Sequence, residues 1–381
     1  MIRCFRTVRV AAYGVALLIA FAARGVQAEE KTGPDIKIGG YVKVDFIYDV
    51  DPIGNAYQFK TDAIPVEGSA AADQGGQTNI HARETRLTLS LREDTPRGKF
   101  NAYVEGDFYG DNNTFRIRHA YGEFGQFLGG QTWSTFQDIS ARPRSLDYEG
   151  PDAEIFVRQA MIRWTRPLSD NVTFAVALEQ PGSQFVTPDT LSGGPRNEMP
   201  DIPAHVRFEG ERGHVQLGGI VRQIRFDGES GSADVNTMGY GANLSFLLKT
   251  TGKDALMGEA AFGNGIGRYI EALNGQSADA VFTRIDELDA LSATAAVIAY
   301  ERHWNDTLQS SVAFSVASLD ENSRLSPSTI KQTTDARANL IWAAWKKVDI
   351  GGEVLWGERE NQNGATGDAL RFQFAMIYKL I

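Results

Sequence analysis

The sequence predicts an all-β fold, a sixteen-stranded antiparallel transmembrane β-barrel, and three observations carry that prediction. Apolar residues recur at every second position along most of the chain. No segment after the first 28 residues suits a membrane helix: uncharged runs in strand-like regions, such as Ala290 to Tyr300 with 11 residues, do not exceed the 14 of Val235 to Leu248, against the roughly 20 a helix needs. Connections between the alternating segments are short and long by turns, as in a barrel with tight turns on one side of a membrane and loops on the other.

Residues 1–28 read as a secretory signal, with Arg3, Arg6 and Arg9 before the uncharged run Val10 to Ala23 and a small-residue cleavage site at Val26-Gln27-Ala28. Cleavage leaves 381 − 28 = 353 residues, 29–381, as one barrel domain. The single cysteine, Cys4, falls inside the signal, which excludes disulfides and thiolate metal sites from the exported chain. Loss of the four signal arginines lowers Lys+Arg from 38 to 34 against 48 Asp+Glu, a net charge of about −14, and nucleic acid is excluded as a partner. The mean hydropathy of -0.27 is that of a water-soluble protein. Barrel strands produce such an average because only alternate residues face lipid.

The first strand sets Ile36, Ile38, Val42, Val44, Phe46 and Tyr48 on one face and Lys37, Tyr41, Lys43, Asp45 and Asp49 on the other. The second sets Thr85, Leu87, Leu89 and Leu91 against Glu84, Arg86, Thr88, Ser90 and Arg92. Residues 98–109 and 113–124 follow the same rule, and the last strand opposes Leu370, Phe372, Phe374, Met376, Tyr378 and Leu380 to Arg371, Gln373 and Lys379. The remaining segments lie near 127–136, 157–166, 171–180, 203–210, 214–226, 236–249, 254–263, 292–302, 307–318, 333–344 and 347–358. An even number places both termini on one side.

From a periplasmic N-terminus, the periplasmic turns are short and polar, such as Thr95 to Gly98, Glu211-Arg212-Gly213 and Trp304-Asn305-Asp306. The external connections, near 49–82, 137–156, 181–202, 227–235, 264–291, 319–332 and 359–368, are long, and only Gly110 to Asn113 is short. A β-sandwich has no reason to sort its connections this way. Trp164, Trp304, Trp342, Trp345 and Trp356 fall near strand ends, where they mark the membrane interfaces. Gly129-Gly130, Gly218-Gly219 and Gly263 to Gly267 read as bulges or hinges.

Beyond the pattern, the wording of the chain resembles the DcaP-like family of Gram-negative outer-membrane porins. The segments IKIGGYVKVDFIYD (36–49), ARETRLTLSL (82–91), VEGDFYGDNNTFRIRHAYGEF (104–124), FLGGQTWSTFQD (127–138), RPRSLDYEGP (142–151) and VRQAMIRWT (157–165) carry the likeness, which continues through 340–364 and the last strand. The resemblance implies a homotrimer of barrels in outer-membrane lipid, a third external loop folded into the lumen, and passive diffusion of small anionic, dicarboxylate-type solutes without a cofactor. It also implies that the C-terminal strand is read by the barrel-assembly machinery. Here Tyr378-Lys379-Leu380 is followed by Ile381 instead of ending on an aromatic residue.

Channel selectivity comes from charges around a water-filled constriction. Loop three is acidic, with Asp138, Asp147, Glu149, Asp152 and Glu154, and the inward faces of strands one, two and four offer Lys43, Arg86, Arg92, Arg116 and Arg118. Facing rows of opposite sign would set a transverse field, and arginine binds carboxylates in bidentate fashion, so Arg86, Arg116 and Arg118 are the expected solute contacts. Inward Glu84, Glu105 and Asp107 offer the competing reading, in which cross-strand pairs neutralise the arginines. Gln131 and Trp133, at the start of loop three, are expected to anchor it. A general or weakly cation-tolerant diffusion porin is the runner-up. Enzyme and adhesin barrels rank lower: His81, His119, His205, His214 and His303 are scattered outside any metalloprotease or nucleophile-elbow motif, and the inward rows are polar. Asp201 with Glu198 is a candidate cation pair in the fourth external loop.

Overall fold

The computed structural model describes residues 33–380; the signal segment and Ile381 lie outside the described residues. In chain order the strands are β1 (Asp35–Asp49), β2 (Gln77–His81), β3 (Arg86–Thr95), β4 (Gly98–Asp107), β5 (Arg116–Phe124), β6 (Phe127–Trp133), β7 (Arg158–Ser169), β8 (Val172–Glu179), β9 (Gly193–Pro195) and β10 (Ile202–Gly210). They continue with β11 (Gly213–Gly228), β12 (Val235–Lys249), β13 (Ala255–Asn264), β14 (Ala280–Arg284), β15 (Glu287–Ala290), β16 (Ser292–His303), β17 (Leu308–Leu319), β18 (Ile330–Trp345), β19 (Val348–Asn361) and β20 (Thr366–Lys379). Eighteen of them form one antiparallel sheet, and β14 with β15 makes a separate hairpin. Both β2 and β3 pair with β1, and both β9 and β10 with β11, so the sheet has sixteen staves.

The sheet closes where β1 meets β20, in a register running from Tyr41 opposite Lys379 to Asp49 opposite Arg371. Closure leaves no edge in a solvent that cannot hydrogen-bond. Alternation matches the sequence: Val42, Val44, Phe46 and Tyr48 are exposed toward lipid, while Lys43, Asp45 and Asp49 are buried inside. Across the seam Phe372, Phe374 and Met376 face out and Arg371 and Gln373 face in.

Each of the sixteen expected segments corresponds to a stave. The differences lie at the external ends, where the second stave begins at Gln77 and breaks at Ala82–Thr85, β18 begins at Ile330 and β20 at Thr366. Above the membrane both faces of a strand meet water or loop, so the apolar period that marks a stave in lipid fades there.

The lumen is fuller than the polar inward rows of the first staves suggest. The connection 264–291, expected as an external loop, turns inward through short helical turns at Gly267–Tyr269 and Glu271–Leu273. Its Ile266, Tyr269, Ile270 and Leu273 are buried with Phe136 and Ile155 of loop three and with Ala293, Ala295 and Ala317 of the wall. Residues of the first external loop join them, with Phe59 and Ile64 buried against Leu355 and Ala369. Staves β16 and β17 face this plug with alanine because packed loop leaves no room for larger side chains.

Candidate functional site: the constriction

Loop three, residues 134–157, leaves β6 and crosses the lumen before β7. It has only a short helical turn at Ile139–Ala141, so most of its N–H groups need partners from elsewhere. Glu353 on β19 accepts from the N–H groups of Leu146 (2.5 Å) and Asp147 (2.9 Å) and from the Ser145 hydroxyl (2.9 Å). Glu259 on β13 accepts from the Ile155 N–H at 2.8 Å.

The loop's own acids are spent in the same way. Asp138 bonds His214 (2.7 Å), Ser245 (2.9 Å) and Arg207 (2.9 Å) on the wall of β10 to β12. Asp147 accepts from the Phe59 N–H at 3.0 Å, and Asp152 from the Thr61 N–H at 2.5 Å. Glu154 holds Arg142 Nε at 2.8 Å, and Glu149 lies 3.8 Å from Lys60. All five are buried. This corrects the expectation of an acidic row facing the arginines, because carboxylates that tie a loop to its surroundings are not left lining water.

Electrostatics follow from that burial. Burial opposes the charge on Asp138, but the hydrogen bond and charge of His214, with Arg207 and Ser245, prevail and hold its carboxyl at about 2. Burial pushes Glu154 up to about 7 against the opposing charge of Arg142. Burial, then the Glu271 carboxylate, raises Glu149 well above the usual range.

The basic residues divide into three groups. Lys43 is 1% exposed, 3.1 Å from Asp45 and bonded to Glu84 and to the Leu146 carbonyl. It fastens loop three instead of meeting solute. Arg92, opposite Asp35 in register, lines a periplasmic vestibule of 730 Å³ with Asp94, Tyr103, Tyr121 and Glu123, away from the loop. Arg86, Arg116 and Arg118 are brought together. Arg116 bonds Asp107 at 2.8 Å with its side chain 37% exposed, and Arg118 bonds Glu105 at 2.8 Å and Asp107 at 3.2 Å. Arg86 stands 3.6 Å from Glu84 and 3.7 Å from Glu105. The competing reading is therefore the geometry found, with each of the three close to an acid.

Two residues absent from the sequence-based set complete the site. Arg158, first residue of β7, donates to the Tyr148 hydroxyl at 2.8 Å and has no acid within ion-pair distance among the described residues. The same hydroxyl accepts from Arg116 at 2.9 Å and from Arg118. Both stand in segments quoted above, but period two says nothing about a loop tip or about the residue joining loop to strand. Trp133 packs on Phe156 at a centroid distance of 4.6 Å with the Arg158 guanidinium 4.8 Å above it, and Gln131 reaches the carbonyls of Ile117 (3.3 Å) and Arg118 (3.2 Å). Trp133 thus touches the loop residue Phe156, whereas these Gln131 bonds reach the neighbouring stave β5 and not the loop. Alternation sets Arg116 and Arg118 on the inward face, and the β-bulge opposite Glu105 and Gly106 leaves Arg118 without a ladder partner, so that His119 is buried beside it. Asp201, the candidate cation ligand, instead meets Arg268 at 2.8 Å and Tyr269 at 2.7 Å, and its partner Glu198 meets Arg225 at 3.2 Å.

A closed sixteen-stave barrel with a lipid-facing apolar outside and a charged, loop-narrowed lumen defines an outer-membrane channel of the porin class, a class of pores and not of enzymes. The chain belongs to the DcaP outer membrane protein family, whose model matches residues 24–380. Solved structures show the fold independently. The outer-membrane channel DcaP of Acinetobacter baumannii superimposes with a TM-score of 0.80 at 20% identity, covering 93% of this chain and 100% of that one. OmpT of Vibrio cholerae gives 0.58 at 10% identity over 93% and 100%. OmpF of Salmonella typhi, in complex with daunomycin, gives 0.57 at 9% over 93% and 100%. Comparison with curated proteins returns no match.

Proposed function

We propose that this outer-membrane porin favours small anionic solutes of the dicarboxylate type and works as a homotrimer exported by a cleaved signal. The observation that carries the anion reading is Arg158: in the cluster Arg86, Arg116, Arg118 and Arg158, facing Glu84, Glu105 and Asp107, it is the cation without an acid partner among the described residues. Arg86, Arg116 and Arg158 are the solute contacts, with Arg118 behind them. Reversal potentials across a planar bilayer under a KCl gradient test the reading, and cation preference would sink it. The runner-up, a general diffusion porin, is favoured by the close pairing of Arg116 and Arg118 with acids, and it expects a reversal potential near zero.

The family resemblance supports the trimer, and one form of the Vibrio cholerae neighbour is described as a trimer. Unheated gel migration at monomer size would count against it. Signal cleavage predicts Glu29 as the N-terminus of the exported protein, read by N-terminal sequencing. Reading of the last strand by the assembly machinery predicts that an aromatic residue in place of Ile381 raises membrane yield.

A further inference from the structure

We infer that the Tyr148 hydroxyl holds the place of a solute carboxylate oxygen, so that Tyr148 sets the channel's specificity by competing with the anion it admits. The inference rests on the anion reading above and adds how the arginines are kept from binding too tightly.

Tyr148 stands at the inner tip of loop three and is 4% exposed, so its ring fills the gap between loop and wall. Its oxygen receives N–H groups from Arg158 (2.8 Å), Arg116 (2.9 Å) and Arg118. A hydroxyl oxygen has two acceptor lone pairs, and three guanidinium groups on one neutral oxygen exceed what it satisfies. Converging guanidiniums are the pattern that carboxylates occupy. Two further donors of the cluster, Arg158 Nη1 and Arg86 Nε, are buried without a hydrogen-bond partner among the described residues. Buried donors of that kind need an acceptor, and the second oxygen of a carboxylate displacing the phenol would supply one.

The ring is placed to yield and return. It packs on Tyr109 at a centroid distance of 4.4 Å, and the guanidiniums of Arg118 and Arg116 lie 5.1 and 5.5 Å from its centre. Neighbouring Asp147 and Glu149 are fixed by the Phe59 N–H and by Lys60, so the loop can stay put while the side chain swings. Arg116, the most exposed of the three, is where an incoming anion first meets the cluster. An anionic oxygen outbids the neutral phenol because a guanidinium meets in it a full opposite charge and, through both carboxylate oxygens, a bidentate acceptor, whereas the phenol offers one uncharged oxygen. The phenol then reclaims the donors as the solute leaves, which keeps dwell times short enough for permeation.

Tyr148→Phe tests this, since it removes one oxygen and keeps the ring. The half-blocking concentration of succinate for the KCl current in a planar bilayer should fall about three- to tenfold, the worth of one released hydrogen bond. Adding Arg158→Gln to that variant should cancel the gain. An unchanged or raised half-blocking concentration in Tyr148→Phe would overturn the inference and leave Tyr148 as a prop that orders the arginines. Heat-shifted gel migration confirms the folded barrel, and Tyr148→Leu carries the same expectation should the phenylalanine variant not migrate as folded. Cation-selective reversal potentials in the unsubstituted protein would strike down the anion reading itself. Anion selectivity with no response to the substitution strikes down only the role of Tyr148.

Discussion

The two halves of the barrel wall treat the same lumen differently. Staves β3 to β7 carry Arg86, Arg116 and Arg158, with Arg118 buried behind them and Tyr103 and Tyr121 below, beside a passage and vestibule. Staves β11 to β20 present Ala293, Ala295 and Ala317 to an apolar plug and reserve charges such as Glu353, Arg337 and Asp335 for buried bonds to loops and to one another. Inward polarity therefore has two meanings in one barrel. On the open half a charge faces water and solute, and on the sealed half it is a fastening.

The largest effect should come from cutting a fastening. Glu353→Leu leaves the Leu146 and Asp147 N–H groups without their acceptor, and loss of a buried charged partner costs about 3 kcal/mol. Loop three should come away from β19, raising single-channel conductance and current noise, and unchanged conductance would mean the sealed half does not hold the loop.

On the open half, Arg158→Gln should lower the anion to cation permeability ratio about fivefold, since a unit charge about 4 Å from a passing ion is worth about 1 kcal/mol even in bulk water. Arg116→Gln should shift it the same way, because Asp107 loses one of its two arginine partners and keeps only Arg118. Reversal potentials under a salt gradient measure both, and an unmoved ratio would take these arginines out of the constriction.

A smaller effect concerns pH. Glu154 sits at about 7 in the folded loop, above its ordinary value near 4.5, so the packed loop holds a proton that the released loop gives up. The packed arrangement is then most stable below about 4.5 and weakens as pH rises through about 7. Current noise should grow between pH 5 and pH 8, and Glu154→Gln should flatten that rise. Equal slopes in the two proteins would exclude Glu154 as the source.

The smallest effect belongs to Arg92. It lies in the wide vestibule, where ions screen charge over about 8 Å, and Arg92→Gln should change the permeability ratio less than about twofold. A change as large as that of Arg158→Gln would move the constriction toward the periplasm and break the contrast between the halves.

The staves were legible because lipid imposes a period on them: Val42 to Tyr48 and Phe372 to Met376 could face only one way. The plug was not, since Ile266, Tyr269 and Ile270 meet other loops and no repeat marks such contacts. At the site, the arginines of β3 and β5 could be read from alternation, and so could their acid partners. Period two could not say which loop-three acids would be spent on N–H groups of the loops, as Asp147 and Asp152 are, nor that Tyr148 would reach the arginines. Those outcomes depend on the path of loop three across the lumen.

Because β1 bonds to β20, the stave synthesised first must wait for the one synthesised last. Until then β1 and β19 each present an open edge of unpaired N–H and C=O groups, a template for pairing with the wrong chain. Contacts this distant in sequence form slowly, and the Asp49–Arg371 ion pair at the seam, with Arg371 Nη2 on Asp49 Oδ2 at 3.0 Å, joins only once the rest is in place. The stability of this barrel thus arrives in its final step, and a chain stopped short of β20 holds almost the whole sequence with no way to close.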